Sequence, residues 1–198
     1  MTRKVGEAQH HGCSPPSPRS SHDLRLIHAR AVPTCRIPEQ GSIVTSVALV
    51  TALIGIAATA VIYGTDVFCA LVLRPAAGGA TDAAVADLLG RVHHYGDRRL
   101  PVPGIAATLA AAVAAIASGT TISRAGALLA LLTLLTWLVI YLRVSAPINK
   151  RLRAAAAAGV VPADTRTLQT RWDSVIWPRA ALQALALTGL LLTALTCQ

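Results

Sequence analysis

Residues 125–142 read AGALLALLTLLTWLVIYL, an apolar block without a single charge. An α-helix rises about 1.5 Å per residue, so a block of this length nearly crosses the hydrocarbon layer of a bilayer, about 30 Å thick. Three similar blocks lie at about 43–63, 105–122 and 180–197, and the first extends to residue 73 if its helix continues through Asp66. Four such blocks predict four membrane-spanning helices.

The composition favours the same class of protein. Apolar residues make up 54% of the chain and charged residues only 14%, and the mean hydropathy is +0.55. Soluble domains average about 25% charged residues. The alternative is a soluble bundle of buried helices, but its helices would carry polar stripes at helical spacing, and these blocks have none. We therefore predict an all-α, polytopic membrane protein: a four-helix transmembrane bundle with two amphipathic helical loop segments on one side.

The first 42 residues differ from the rest of the chain. They are rich in Pro, Ser, Arg and His and show little apolar periodicity, which is typical of a disordered basic tail. The membrane domain then comprises residues 43–198. A true start at Val44, read from a GTG codon, is an alternative that would remove the basic tail altogether.

Basic residues suggest how the spans are oriented. The loops between spans one and two and between spans three and four are both rich in arginine, and positive residues favour the cytoplasm. We expect both loops to be cytoplasmic in a bacterial plasma membrane, although the basic tail argues for the opposite orientation. The net charge of +9 lies largely beside membrane segments, so it does not indicate nucleic-acid binding.

A polar cluster, RVHHYGDRRLPVPG at residues 91–104, precedes the second span. Apolar residues at helical spacing predict an amphipathic helix just before and within it: Val85, Leu88, Leu89 and Val92. Two spans separate this loop from the third loop, so both lie on one side of the membrane. We expect the cluster to close one end of the bundle against the third loop, where Pro147 would stop or kink the helix.

The histidines and cysteines do not predict a metal site. His93 and His94 are adjacent, and a helix places their side chains about 100° apart. The four cysteines are scattered and form no CxxC pair: Cys13, Cys35, Cys69 and Cys197. We therefore expect no metal and no cofactor.

Asp66 is the one acidic residue within an apolar block. An ionised aspartate at the bilayer centre costs at least about 2.5–3.5 kcal/mol, which makes such a residue a candidate functional site. Tyr63 lies one turn earlier and shares its helix face. The alternative is that Asp66 lies at the membrane interface and pairs with an arginine such as Arg98.

The third loop carries a recognisable residue pattern. It reads Pro147-x-Asn149-x-x-Leu152, then Leu168-x-x-Arg171-Trp172 and, seven residues later, Arg179. This pattern resembles the signature of the anthrone oxygenase-like membrane proteins, a mostly uncharacterised family with four spans. The resemblance covers roughly Ile43 to Leu195 and is strongest from Arg143 to Leu187. It implies a cofactor-free monooxygenase that oxidises polyketide anthrones to quinones.

That chemistry needs a base, donors for a developing phenolate and a dry aromatic cavity. The candidate bases are His93, His94 and Asp66. Asn149, Tyr95, Arg171 and Arg179 are candidates for binding the oxyanion, Trp172 is the candidate for stacking on a flat ring, and Tyr63 is a further substrate-binding candidate.

Two other functions fit the same residues. The chain could be a non-catalytic membrane protein that binds a lipid or a partner, with Tyr141, Trp172 and Trp177 forming an interfacial aromatic belt. It could also be a small transporter that uses Asp66, although no internal repeat supplies a second spanning acid. Contacts with membrane lipids are expected in every case, and small residues such as Gly55 and Ala58 permit homo-oligomers.

Overall fold

The computed structural model describes residues 39–197, and the side chains at 39, 40 and 42 are outside the description. Most of the predicted basic tail therefore lies outside the described residues. Within them the regular structure is entirely helical, which confirms the predicted all-α class. The helices are α1 (Glu39–Phe68), α2 (Arg74–Gly78), α3 (Asp82–Arg99), α4 (Pro101–Ala117), α5 (Thr121–Ile140), α6 (Ala146–Ala158), α7 (Thr165–Asp173) and α8 (Ile176–Thr196).

Three helical segments are long and apolar enough to cross a membrane. They are Ile43–Gly78, Thr121–Ala158 and Thr165–Thr196. A fourth candidate arises if α3 and α4, which meet at a bend of 40°, form one broken span. The structure therefore contains three or four candidate membrane spans.

The second and third apolar blocks are divided differently from the sequence-based prediction. The block expected at 105–122 ends at Ala117, and Ile122 belongs to α5. The cause is local, because the Thr120 side chain accepts a hydrogen bond from the Ser123 backbone N–H (3.1 Å) and starts a new helix. Hydropathy alone does not mark this boundary because the residues on both sides are uncharged.

The four longest apolar helices pack in a ring. Helix α1 packs on α4 and α8, and α5 packs on the same two helices. At the α5–α8 contact, Gly126 and Gly189 face each other: a Cβ on either would lie 2.5–2.6 Å from the carbonyl oxygen of the other. Glycine at both positions therefore allows the two backbones to approach closely.

A second layer, which we call the cap, consists of α2, α3, α6 and α7. Helix α3 packs on α6, where a Cβ on Gly90 would lie 2.6 Å from the carbonyl oxygen of Leu152. The core of the cap contains Leu89, Leu152, Leu168, Trp172 and Ile176. The contacts of α3 with α6 and α7 show that the two polar loops meet, as the span count predicts.

The predicted apolar face of α3 is only partly buried. Val85 and Leu89 are buried, whereas Leu88 and Val92 are exposed. Gly90 and His93 are buried as well, and α6 packs on α3.

The helices continue through both prolines that follow long apolar segments. A single π-helical turn, Cys69–Leu73, precedes Pro75, and another, Tyr141–Ser145, precedes Pro147. A proline ring clashes with the carbonyl group four residues earlier in a regular helix, and a π turn widens the backbone at that point. Of the two alternatives predicted for Pro147, that it stops or that it kinks the helix, the first is wrong. Helix α6 continues to Ala158, and Gly159, with a left-handed φ of 64°, follows its last residue.

Candidate functional site

A cavity of about 490 Å³ lies where the ring of helices meets the cap. Apolar and aromatic side chains supply most of its wall, with Trp137 from α5 and Trp172 from α7. The polar lining residues come from helices that are far apart in sequence: Thr65, Asp66, Cys69, His93, Asp97, Thr108, Tyr141, Asn149 and Arg179. The size and mixed lining are typical of a small-molecule site.

Asp66 and Arg179 form a buried ion pair at one side of the cavity. Arg179 Nη2 donates to Asp66 Oδ1 (2.8 Å), and Gln183 Nε2 donates to Asp66 Oδ2 (2.9 Å). Arg179 Nη1 donates to Ser145 Oγ (2.9 Å). Only 3% of Asp66 and 7% of Arg179 is exposed. The arginine that pairs with Asp66 is therefore Arg179 and not Arg98, the example named from the sequence. Arg98 is exposed, and the two oxygens of Asp66 are taken by Arg179 and Gln183.

Three aromatic rings surround the Arg179 guanidinium. Its Cζ lies 5.9 Å from the ring centroid of Trp137, 5.8 Å from that of Tyr141 and 5.9 Å from that of Trp172. Cation–π contacts favour this arrangement. Asp66 compensates the charge of Arg179, and the guanidinium packs among three aromatic rings of the cavity wall.

A second polar group centres on Asp97. Its Oδ1 accepts hydrogen bonds from the Tyr141 hydroxyl and from Asn149 Nδ2, both at 2.8 Å, and its Oδ2 lies 3.4 Å from Arg153 Nη1. Asn149 Oδ1 in turn accepts from Trp172 Nε1 (3.1 Å). This chain of bonds fixes the Trp172 ring relative to α3 and α6.

His93 lines the cavity beside Trp172, with the two ring centroids 5.3 Å apart and the planes tilted by 50°. Only 5% of the His93 surface is exposed. Its Nε2 is buried and has no hydrogen-bond partner within residues 39–197. A neutral imidazole can accept a proton at such a nitrogen.

The structure brings together five of the nine residues selected from the sequence. His93, Asp66, Asn149, Trp172 and Arg179 all line the cavity.

The remaining four do not line it: His94, Tyr95, Arg171 and Tyr63. His94 lies about one-quarter turn from His93 on α3 and meets Tyr95 edge to face. Tyr95 is 56% exposed and packs under Arg99. Arg171 directly precedes Trp172 on α7, but it is exposed whereas Trp172 is buried. Half-buried Tyr63 lies on α1 outside the cavity wall.

Five residues of the site were not selected for it from the sequence: Asp97, Trp137, Tyr141, Ser145 and Gln183. Of these, Tyr141 was considered only as part of an interfacial aromatic belt. Asp97 follows His93 by four residues, so helical spacing places it on the same face. Trp137 and Tyr141 have the same spacing, and their rings stack with centroids 6.1 Å apart. These two pairs were detectable from spacing, whereas no local pattern links Gln183 or Ser145 to residues more than 30 positions away.

Residues 39–197 contain no cluster of three His, Cys, Asp or Glu side chains that could hold a metal ion. Comparisons of the chain with protein-family models, curated proteins and solved structures found no match. We therefore base the functional proposal on the chemistry of the cavity and on the residue pattern between Pro147 and Arg179.

Proposed function

We propose that the chain is an integral membrane protein whose helices α1, α4, α5 and α8 form a four-helix transmembrane bundle. The ring of contacts among these helices supports this, as does the cap that gathers α3, α6 and α7 at one end. The cap and its arginines face the cytoplasm in this arrangement, in line with the preference of positive residues for that side.

The depth of the ion pair fits this arrangement. At about 1.5 Å per residue, Arg179 lies about 26 Å along α8 from Thr196, and Tyr141 lies about 30 Å from Thr121. A hydrocarbon layer about 30 Å thick that begins at the opposite end of the bundle stops close to these residues. Asp66 and Arg179 then lie at the cap-side interface, where a charged pair costs less than at the bilayer centre.

We further propose that the cavity binds a flat aromatic molecule and oxidises it with dioxygen, as the resemblance to anthrone oxygenases implies. The observation that carries this proposal is the buried, unpartnered Nε2 of His93 in a cavity walled by Trp137 and Trp172. Indole rings stack on planar ligands, and a water-poor wall protects a carbanion from side reactions.

His93 supplies the base in this scheme. Its Nε2 removes one proton from the acidic CH₂ group of an anthrone, and the resulting anion gives electrons to dioxygen and forms a C–O bond. The peroxide so formed takes back the proton, loses water and leaves a carbonyl. One oxygen atom ends in the quinone and the other in water, so the balance is anthrone plus dioxygen to anthraquinone plus water.

The Asp97 group has a positioning task. Tyr141 and Asn149 both donate to Asp97, which fixes Asn149 and, through it, Trp172. We expect Asn149 to influence how the substrate ring is held against Trp172.

The test uses the full chain purified in detergent with emodin anthrone as substrate. Quinone absorbance and dioxygen uptake are followed together. We expect turnover by the wild type and a loss of about 10²–10⁴-fold in kcat for His93→Gln, because general-base catalysis contributes about that much. His94→Gln is the matched control, since the neighbouring imidazole does not line the cavity, and it keeps wild-type turnover.

Equal rates for His93→Gln and the wild type would overturn the role of His93. Absence of turnover in the wild type, with saturable binding of emodin anthrone, would favour the second candidate, a non-catalytic ligand-binding membrane protein. The observation that favours this second candidate is that Asp66, Asp97 and Asn149 all have partners within the protein.

A further inference from the structure

The cavity has an exposed rim that is entirely apolar. Among its lining residues, the exposed ones are Val92, Pro101, Ile105, Leu109 and Leu142. By contrast, Asp66, His93 and Arg179 are buried, and Asp97 is half-buried. The exposed part of the cavity lining is therefore apolar, and the polar lining residues are buried or half-buried.

Four of the five rim residues lie on two helices of the bundle, and the fifth, Val92, lies on α3 of the cap. Pro101, Ile105 and Leu109 are four residues apart and form one stripe along α4, and Leu142 lies in the turn that extends α5. Gly104 and Trp137 lie behind this stripe, because a Cβ on Gly104 would meet the Trp137 ring at 3.3 Å. We call the gap bounded by Ile105, Leu109 and Leu142 the portal.

The α4 side of the portal lies at the height of the hydrocarbon layer in the proposed bundle, and Leu142 lies at its cap-side edge. At about 1.5 Å per residue, Leu109 is about 12 Å and Ile105 about 18 Å along α4 from Ala117. Both distances fall within a layer about 30 Å thick. The side chains of Ile105 and Leu109 are 60% and 61% exposed, so they face lipid at that depth.

Polar contacts connect the helices on the other side of the cavity. The bonds of Asp97 with Tyr141 and Asn149, and the bond of Asn149 with Trp172, connect α3 to α5, α6 and α7. The bond between Arg179 and Asp66 connects α8 to α1. These bonds tie the helices together on the polar side of the cavity, whereas the exposed lining residues offer a molecule from lipid only apolar side chains.

We infer that the cavity is filled from the bilayer through the portal, by an uncharged, planar aromatic molecule dissolved in the lipid. A charged molecule or a phospholipid headgroup would lose its hydration at the portal without gaining a polar partner. A flat ring system meets matching surfaces from the portal inward to Trp137 and Trp172. This inference rests on the proposed function in one respect, namely that the cavity receives a small aromatic ligand.

Tryptophan fluorescence in phosphatidylcholine vesicles tests the route. The chain has three tryptophans, and Trp177→Phe leaves only Trp137 and Trp172, which both line the cavity. The probes are 9,10-anthraquinone, which dissolves in lipid, and anthraquinone-2-sulfonate, which is charged and stays in water. We expect saturable quenching by the first probe and little by the second.

Narrowing the portal gives the decisive comparison. Ile105→Phe/Leu109→Phe adds bulk at the rim, and we expect the rate of quenching by 9,10-anthraquinone to fall about tenfold. Ile116→Phe is the control, because Ile116 is on the same helix and 82% exposed but does not line the cavity. Leu142→Phe on the facing wall is a second narrowing variant, which keeps the test valid if the double variant fails to fold.

Two outcomes would overturn the inference: equal quenching by both probes, or quenching that rises linearly with anthraquinone in the lipid and is unchanged by either narrowing variant. The proposed function fails separately. If the narrowing variants turn over emodin anthrone as fast as the wild type, the oxygenase proposal is supported and the portal is contradicted. If quenching depends on the portal but there is no turnover, the portal is supported and the oxygenase proposal is contradicted.

Discussion

At the scale of single residues, the most consequential contact is the one between Asp66 and Arg179. Both side chains are almost fully buried, and each ends in contacts with protein atoms. A buried ion pair adds little stability over apolar residues, but removal of one partner leaves an uncompensated charge. Replacing one member of the pair is therefore expected to destabilise the protein more than replacing both.

We predict that Asp66→Ala and Arg179→Met each lower the free energy of unfolding by about 3–5 kcal/mol. The double variant loses much less than the sum, because neither charge is then left alone. SDS-induced unfolding in micelles, followed by circular dichroism, measures all three. Asp87→Ala is the control, since Asp87 and Arg91 form an exposed pair (2.9 Å) worth about 0.2–1 kcal/mol. Additive losses for Asp66 and Arg179 would show that the two do not interact.

The indole N–H of Trp172 offers a second test at this scale. Trp172→Phe keeps an aromatic ring but removes the donor to Asn149 Oδ1. Because the oxygen is then buried without that partner, we expect a loss of about 1–3 kcal/mol in unfolding free energy. Trp177→Phe, at a residue that is 49% exposed, changes stability by about 0.5 kcal/mol or less. Equal effects of the two substitutions in the same unfolding assay would contradict the role of the Asn149 bond.

At the scale of helices, the contact between α5 and α8 depends on two glycines. We predict that Gly126→Ala lowers the unfolding free energy by about 1–3 kcal/mol, because its Cβ would lie 2.6 Å from the Gly189 carbonyl oxygen and force the backbones apart. Gly64→Ala is the matched control within α1, where no atom lies within 4 Å of the new Cβ. Alanine's higher helix propensity makes that variant neutral or up to about 1 kcal/mol more stable. A neutral Gly126→Ala would show that the two helices do not pack this closely.

Local residue types account for several helix ends. The Thr81 side chain caps α3 by accepting from the Ala84 N–H (3.3 Å), and α6 ends where Gly159 adopts a left-handed φ. What the sequence could not reveal are the π turns before Pro75 and Pro147. A proline predicts a disturbed helix, but whether the helix stops or widens depends on what packs around it, and here Ser145 is held by Arg179 from α8.

At the scale of the whole molecule, three of the four apolar blocks coincide with candidate spans, because the hydropathy of a block depends only on its own residues. The block at 105–122 qualifies only when α3 and α4 are taken together as one bent span. The site is harder to predict because it depends on which helices meet. His93 and Asn149 were identified through residue type and the family resemblance, and the meeting of their two loops follows from counting spans. Gln183 was visible only as one glutamine in an apolar block, and its partner Asp66 lies more than 100 residues earlier.

The proposed number of spans can be tested by labelling single cysteines from either side of the membrane. In a cysteine-free background, Gly79→Cys, Gly119→Cys and Val160→Cys place one thiol each between α2 and α3, between α4 and α5, and between α6 and α7; all three positions are exposed. With four spans and a cytoplasmic cap, a membrane-impermeant maleimide labels Gly119→Cys in spheroplasts and the other two variants only in inverted vesicles. If α3 and α4 instead enter and leave on one side, Gly79→Cys and Gly119→Cys become labelled from the same side and Val160→Cys from the other. Complete reversal of the first pattern would leave four spans in place but put the arginine-rich cap outside, against the expectation from positive charge.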